Sequence, residues 1–140
     1  MYVFSVFLAD CKPSFTATPN SGNDVYVLDG ASFEDLIWNY NSDGFTLEKV
    51  ELLYFNPDST TAIVAKKLSS SQQLQIFGSS GYSGRVQIRG SATFRILNIV
   101  PSDSRTFQCK VTFTNADPPE IQNNAKLVVV GKSPTTLLCI

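Results

Sequence analysis

The stretch GRVQIRGSATFRILNIVPSDSRTFQCKV, Gly84 to Val111, decides the fold. Its later part reduces to Phe94-x-Ile96-x-x-Ile99, then Asp103, then Phe107-x-Cys109-x-Val111. Apolar residues at every second position line one face of an extended strand. Phe94 and Ile96 are therefore expected to face inward on one strand, and Phe107, Cys109, Val111 and Phe113 on the next. Between them Ile99 closes the end of the core, and Pro101 to Ser104 supply turn chemistry for a crossing from one sheet to the other.

Working outward, clusters of Gly, Pro, Asn, Asp and Ser recur at Pro19–Asp24, Asn39–Gly44, Asn56–Thr60, Ser69–Ser71, Gly78–Gly84 and Asn115–Pro119. These read as turns. The runs between them are rich in β-branched and aromatic residues, and none holds a 3.6-residue period over three helical turns. Strands are predicted at Val25–Leu28, Ser32–Tyr40, Leu47–Asn56, Thr61–Lys67, Leu74–Phe77, Arg85–Arg89, Thr93–Ile99, Thr106–Thr114 and Lys126–Val130. About nine short strands in one domain-sized chain predict an all-β sandwich or barrel.

Composition narrows the function classes. The chain has 140 residues, a formal net charge of −1 and no histidine. Without histidine the commonest general base and metal ligand are missing, and no SxxK motif offers a substitute base for a serine nucleophile. No catalytic constellation, cofactor site or metal site is expected. Lys and Arg are not clustered, so there is no footprint for a phosphate backbone and nucleic acid is not an expected partner. The three cysteines, Cys11, Cys109 and Cys139, form no CxxC pair, which argues against a zinc or thioredoxin-like site. No Asn-x-Ser/Thr sequon with a permitted middle residue occurs.

The domain is expected at residues 13–131. Segment 1–12 reads either as the end of a signal peptide, from its short apolar run closing in Ala9, or as a first strand. Residues 132–140 read as a linker or truncated tail. No run approaches the roughly 20 apolar residues that span a bilayer, so a membrane anchor is expected only outside this chain.

The Phe94 to Val111 pattern resembles the passage between two core strands in the immunoglobulin superfamily, where Leu-x-Ile precedes Asp-x-Ala-x-Tyr-x-Cys. Upstream, Gly84-Arg85-Val86 is similar to the strand opening of variable-type domains, whose arginine pairs with the aspartate of the crossing. The resemblance implies an ion pair between Arg85 and Asp103, structural rather than catalytic. It also implies two departures. Gly30 to Trp38 reaches the place of the family's first cysteine at Ile37, without a cysteine, so the usual intersheet disulfide cannot form. Leu52 stands where the family carries a core tryptophan, and Trp38 is expected to fill the volume left by both changes. A disulfide stabilises by about 2–4 kcal/mol and a buried aromatic contributes on the same order. Phe107 lacks the hydroxyl of the family's tyrosine corner. Cys109 is expected to be a buried thiol that packs as a small hydrophobe.

Within the superfamily, the character of Leu36-Ile37-Trp38-Asn39-Tyr40 and the missing cysteine resemble the membrane-distal domains of hydroid allorecognition receptors. That implies an extracellular, cell-surface domain that binds the same domain on an opposing cell. The alternatives are a module binding a soluble ligand or carbohydrate, and a non-catalytic accessory domain. An interface is expected among Leu53, Tyr54, Phe55, Ile63, Val64 and Phe77, which exceed what one core face absorbs, with Tyr82 as a contact residue at a loop tip.

Overall fold

The computed structural model describes residues 12–71 and 73–131. The expectations for the segment before Lys12, for 132–140, and for Cys11 and Cys139 fall outside those residues. Ten strands are present among the described residues: β1 Ser14–Ala17, β2 Val25–Leu28, β3 Phe33–Asn41, β4 Thr46–Phe55, β5 Thr61–Leu68, β6 Gln75–Ile76, β7 Val86–Arg89, β8 Ala92–Leu97, β9 Arg105–Thr114 and β10 Glu120–Val130. They form a four-stranded sheet, β1-β3-β8-β7, and a six-stranded sheet, β2-β10-β9-β4-β5-β6. Single turns of 3-10 helix at Pro19–Gly22, Gly78–Ser80 and Pro101–Asp103 are the only helical elements described. The chain is an all-β, two-sheet immunoglobulin-like sandwich.

Alternation builds the core. On β8 Ala92, Phe94 and Ile96 are buried while the residues between them are half-buried. On β9 Phe107, Cys109, Val111 and Phe113 are buried. Leu36 and Trp38 of β3 and Val50 and Leu52 of β4 complete the facing rows. The short turn Pro101–Asp103 carries the chain from β8 in one sheet to β9 in the other.

Two strands differ from expectation for identifiable reasons. β1 is four residues long with no buried position, so its identity comes from pairing with the end of β3 and not from its own pattern. β10 starts six residues before the predicted Lys126, because Asn123 is an inward residue and hides the alternation of Ile121 and Ala125. That inward asparagine has a partner, the Trp38 indole, whose Nε1 donates to Asn123 Oδ1 at 2.9 Å. Buried polar groups persist where such a bond satisfies them.

The register of β3 corrects one alignment. Ile37 is 48% exposed, and Leu36 and Trp38 point inward instead. Trp38 lies opposite Ala92 and Leu36 opposite Phe94 on β8, so a small residue beside the indole leaves room for it. Counting from Gly30 misplaces the strand by one residue, which turns every side chain to the other face.

Candidate functional site

The centre of the sandwich is a structural site. Trp38 crosses from the four-stranded sheet to bond Asn123 of the six-stranded one, and Asn123 sits directly opposite Cys109 in the β9–β10 ladder. Leu52 is the partner of Cys109 on the other side, in β4. The indole also meets Phe94 edge-on, with ring centroids 6.5 Å apart. An apolar ring with one hydrogen bond thus links the sheets at the rung where Cys109 sits free and buried.

Burial pushes the Cys109 thiol well above its ordinary range. The neutral thiol is thus the form the fold accepts. Its contribution to stability is complete below the ordinary thiol pKa and is lost as pH rises past it. Native protein at pH 8 is expected to leave the Cys109 peptide unmodified by iodoacetamide, read by peptide mass spectrometry, and to modify it fully in urea. Modification of the native chain at the unfolded rate would contradict the packing.

A second cluster closes the end of the core. Asp103 is 1% exposed and accepts three hydrogen bonds: from Arg85 Nη2 at 2.6 Å, the Val100 amide at 3.0 Å and the Tyr82 hydroxyl at 2.9 Å. Arg85 also donates to the Leu97 and Asn98 carbonyls. Tyr82 is therefore not a contact residue at a loop tip; it is 2% exposed. Gly81 takes φ +84, a conformation open to glycine, and the turn folds Tyr82 inward beside Phe107, 5.9 Å between centroids. Phe107 has no hydroxyl, and Tyr82 brings one to this end of the core from another strand connection. Burial and the Asp103 charge raise the Tyr82 hydroxyl's pKa, so it remains a donor.

The expected interface residues divide between the two faces of the six-stranded sheet. Tyr54 lies opposite buried Phe107 and faces the core rim, 6.1 Å from the Tyr82 ring. Leu53 lies opposite Gln108, on the outer face. Ile63 pairs with Leu53, and Phe55 continues the outward row. Phe77 is on that side too, beneath Lys66 with the ammonium 5.8 Å from its ring centroid. Val64 is the extra residue of a bulge in β5 and is buried. Leu53 is buried by its neighbours, while Phe55, Ile63 and Phe77 are only partly buried. Farther along the same face run charges of both signs, including the Lys49–Glu51 and Lys110–Glu120 pairs.

Sequence reasoning missed the two most exposed large apolar residues among those described. Tyr26 is 64% and Leu28 55% exposed on the edge strand β2. They sit beside Val128 and Val130 on the outward side of the β2–β10 ladder. Strict alternation in Val25-Tyr26-Val27-Leu28 carried that signal, since only two of four apolar residues can face the core. Between β2 and β3 lies an open groove of about 420 Å³ lined by Tyr26, Ile37, Glu34 and Asp35. Partial burial, then the Asp35 charge, raises the Glu34 carboxyl. Among the described residues no three His, Cys, Asp or Glu side chains gather as a metal site would require.

No protein-family model and no curated protein sequence matches the chain. Solved structures do. The structure of murine CRIg shares 16% identity at a TM-score of 0.65, covering 86% of this chain and 98% of that one. The two tandem V-type regions of VCBP3, a v-region-containing chitin binding protein, share 18% identity at a TM-score of 0.67 over 89% of this chain. This chain spans 54% of that tandem structure. A chain from a structure on T cell specificity and activation by the bacterial superantigen toxic shock syndrome toxin-1 shares 12% identity, with a TM-score of 0.62, over 84% of this chain and 98% of that one. At such identities the likeness is one of fold, and that fold is the variable-type immunoglobulin sandwich, here without an intersheet disulfide among the described residues.

Proposed function

We propose that this chain is an extracellular recognition domain of a cell-surface receptor and that it binds a second copy of itself on an opposing cell. The observation that carries the reading is the outer face of the six-stranded sheet, where Phe55, Ile63 and Phe77 stay partly open after the core is filled. Apolar side chains on the β4–β5–β6 side of a sheet face, with charged rows beside them, have the anatomy of a protein interface. Rows of both signs suit a two-fold pairing of identical faces better than a partner of one strong charge. The likeness of Leu36 to Tyr40 to hydroid allorecognition domains supports the same reading.

Sedimentation velocity across the micromolar-to-millimolar range tests it. The expected result is a weak dimer that Phe55→Ser combined with Phe77→Ser abolishes and Tyr26→Ser combined with Leu28→Ser leaves intact. Monomer at every concentration would overturn self-recognition. Loss of the dimer with the β2 pair alone would move the interface to the second surface, which the exposure of Tyr26 and Leu28 favours.

A further inference from the structure

The edge of the sandwich between β2 and β3 holds an unused strand position. β3 pairs β8 along Phe33–Trp38, but on its other side β1 covers only Asn39–Asn41. The Leu97 amide, opposite Phe33, donates to the Arg85 carbonyl at 2.7 Å on the far side of β8, and the Ser32 carbonyl accepts from the Asn98 amide at 2.8 Å. The bonds from β3 to β8 therefore fall on Ser32, Glu34 and Leu36. Alternation turns the backbone groups of Phe33, Asp35 and Ile37 to the side that no described strand occupies. That side opens on the groove of about 420 Å³, lined by Pro19, Val25, Tyr26, Glu34, Asp35 and Ile37 among others and by no lysine or arginine.

The two carboxylates there are not alike. Asp35 is on the outward row and accepts from the Arg95 guanidinium at 2.8 and 3.1 Å. Glu34 shares the inward row of Leu36 and Trp38 and lies opposite buried Ile96. It enters none of the four ion pairs among the described residues. A partly buried carboxylate without a cation is unfavourable, and burial, then the Asp35 charge, accordingly raises the Glu34 carboxyl.

We propose that this groove takes an extended segment of a partner protein as an added antiparallel strand along Phe33–Ile37, with a lysine or arginine opposite Glu34. It does not depend on the self-association proposed above, which uses the outer face of the other sheet. Antiparallel order continues the pairing of β1, β3, β8 and β7. Directly opposite side chains share a face, so a cation opposite Glu34 reaches between the sheets. The residue two places before it falls opposite buried Leu36 and is apolar, where Pro19 and Val25 line the groove. Backbone bonds to Phe33, Asp35 and Ile37 supply affinity, and Glu34 selects the charge.

The probe is the peptide Ac-Thr-Val-Thr-Lys-Thr-amide, whose lysine falls opposite Glu34 and whose valine falls opposite Leu36. Titrated into the whole isotope-labelled chain, it is expected to shift the Phe33, Asp35 and Ile37 amide signals in NMR, with saturation. Norleucine in place of the peptide lysine, or Glu34→Gln in the protein, is expected to weaken binding by about tenfold or more. The two changes together are expected to weaken it no further than either alone, because each removes the same pair. N-methylation of the two threonines flanking the lysine, whose amides face β3, is expected to abolish binding. Glu34→Gln keeps the shape of the side chain and removes an unpaired charge, so its urea midpoint is expected not to fall, which separates lost binding from lost fold. No shift at millimolar peptide overturns the site. Norleucine or N-methyl peptides that bind like the parent, or lysine amide alone that binds as tightly, overturn the added strand with its cation.

Discussion

Trp38→Ala is expected to destabilise the domain by about 3–5 kcal/mol, the usual range for removing a large aromatic from a packed core. Urea denaturation followed by far-UV circular dichroism reads the loss. The indole is fully buried, meets Phe94 edge-on and bonds Asn123 across the sheets, so three contributions disappear together. Trp38→Phe separates them: it keeps most of the apolar volume and loses the hydrogen bond, leaving Asn123 Oδ1 without its partner. That variant is expected to cost about 1–3 kcal/mol. An alanine variant losing under about 1 kcal/mol would mean that the sheets are joined elsewhere. Because Cys109 is free, a reducing agent is expected to leave the midpoint of a Cys11→Ser, Cys139→Ser variant unchanged.

Asp103→Ala is the second large effect, also about 3–5 kcal/mol, because it strips a buried charge pair of one member. Arg85, the Val100 amide and the Tyr82 hydroxyl all lose their acceptor at once. The Arg85 side chain keeps some solvent contact, which places the expected loss toward the lower end of that range. Tyr82→Phe removes one donor and leaves the ion pair, so about 1 kcal/mol is expected. Thermal unfolding of the two variants orders them; equal losses would show that the hydroxyl and not the ion pair holds this end of the core.

The Gly84 to Val111 stretch was readable because alternation, turn chemistry and the Arg85–Asp103 spacing all point to the same two-sheet crossing. β1 was not, since four residues with no buried position carry no period. Asn123 hid the first half of β10, and only its hydrogen bond to Trp38 explains an inward polar residue there. The one-residue slip at Ile37 came from counting along a motif instead of asking which of two neighbours Ala92 leaves room for.

The binding surface was harder to read for a physical reason. In a sheet covered on one side, period-two patterns say that two faces exist but not which one a bulge will invert, and Val64 is turned inward by such a bulge. Tyr82 shows the converse. Its place in a Gly- and Ser-rich segment suggested solvent, while the nearby demand of Asp103 for a donor, visible only in three dimensions, drew it in.

Hydroxyl-radical footprinting of the wild-type domain at low and high protein concentration tests the proposed recognition face most directly. The account predicts that Phe55, Ile63 and Phe77 lose reactivity as concentration rises, while Tyr26 and Leu28 keep theirs. Protection of Tyr26 and Leu28 instead, or no change at any of the five, would contradict it.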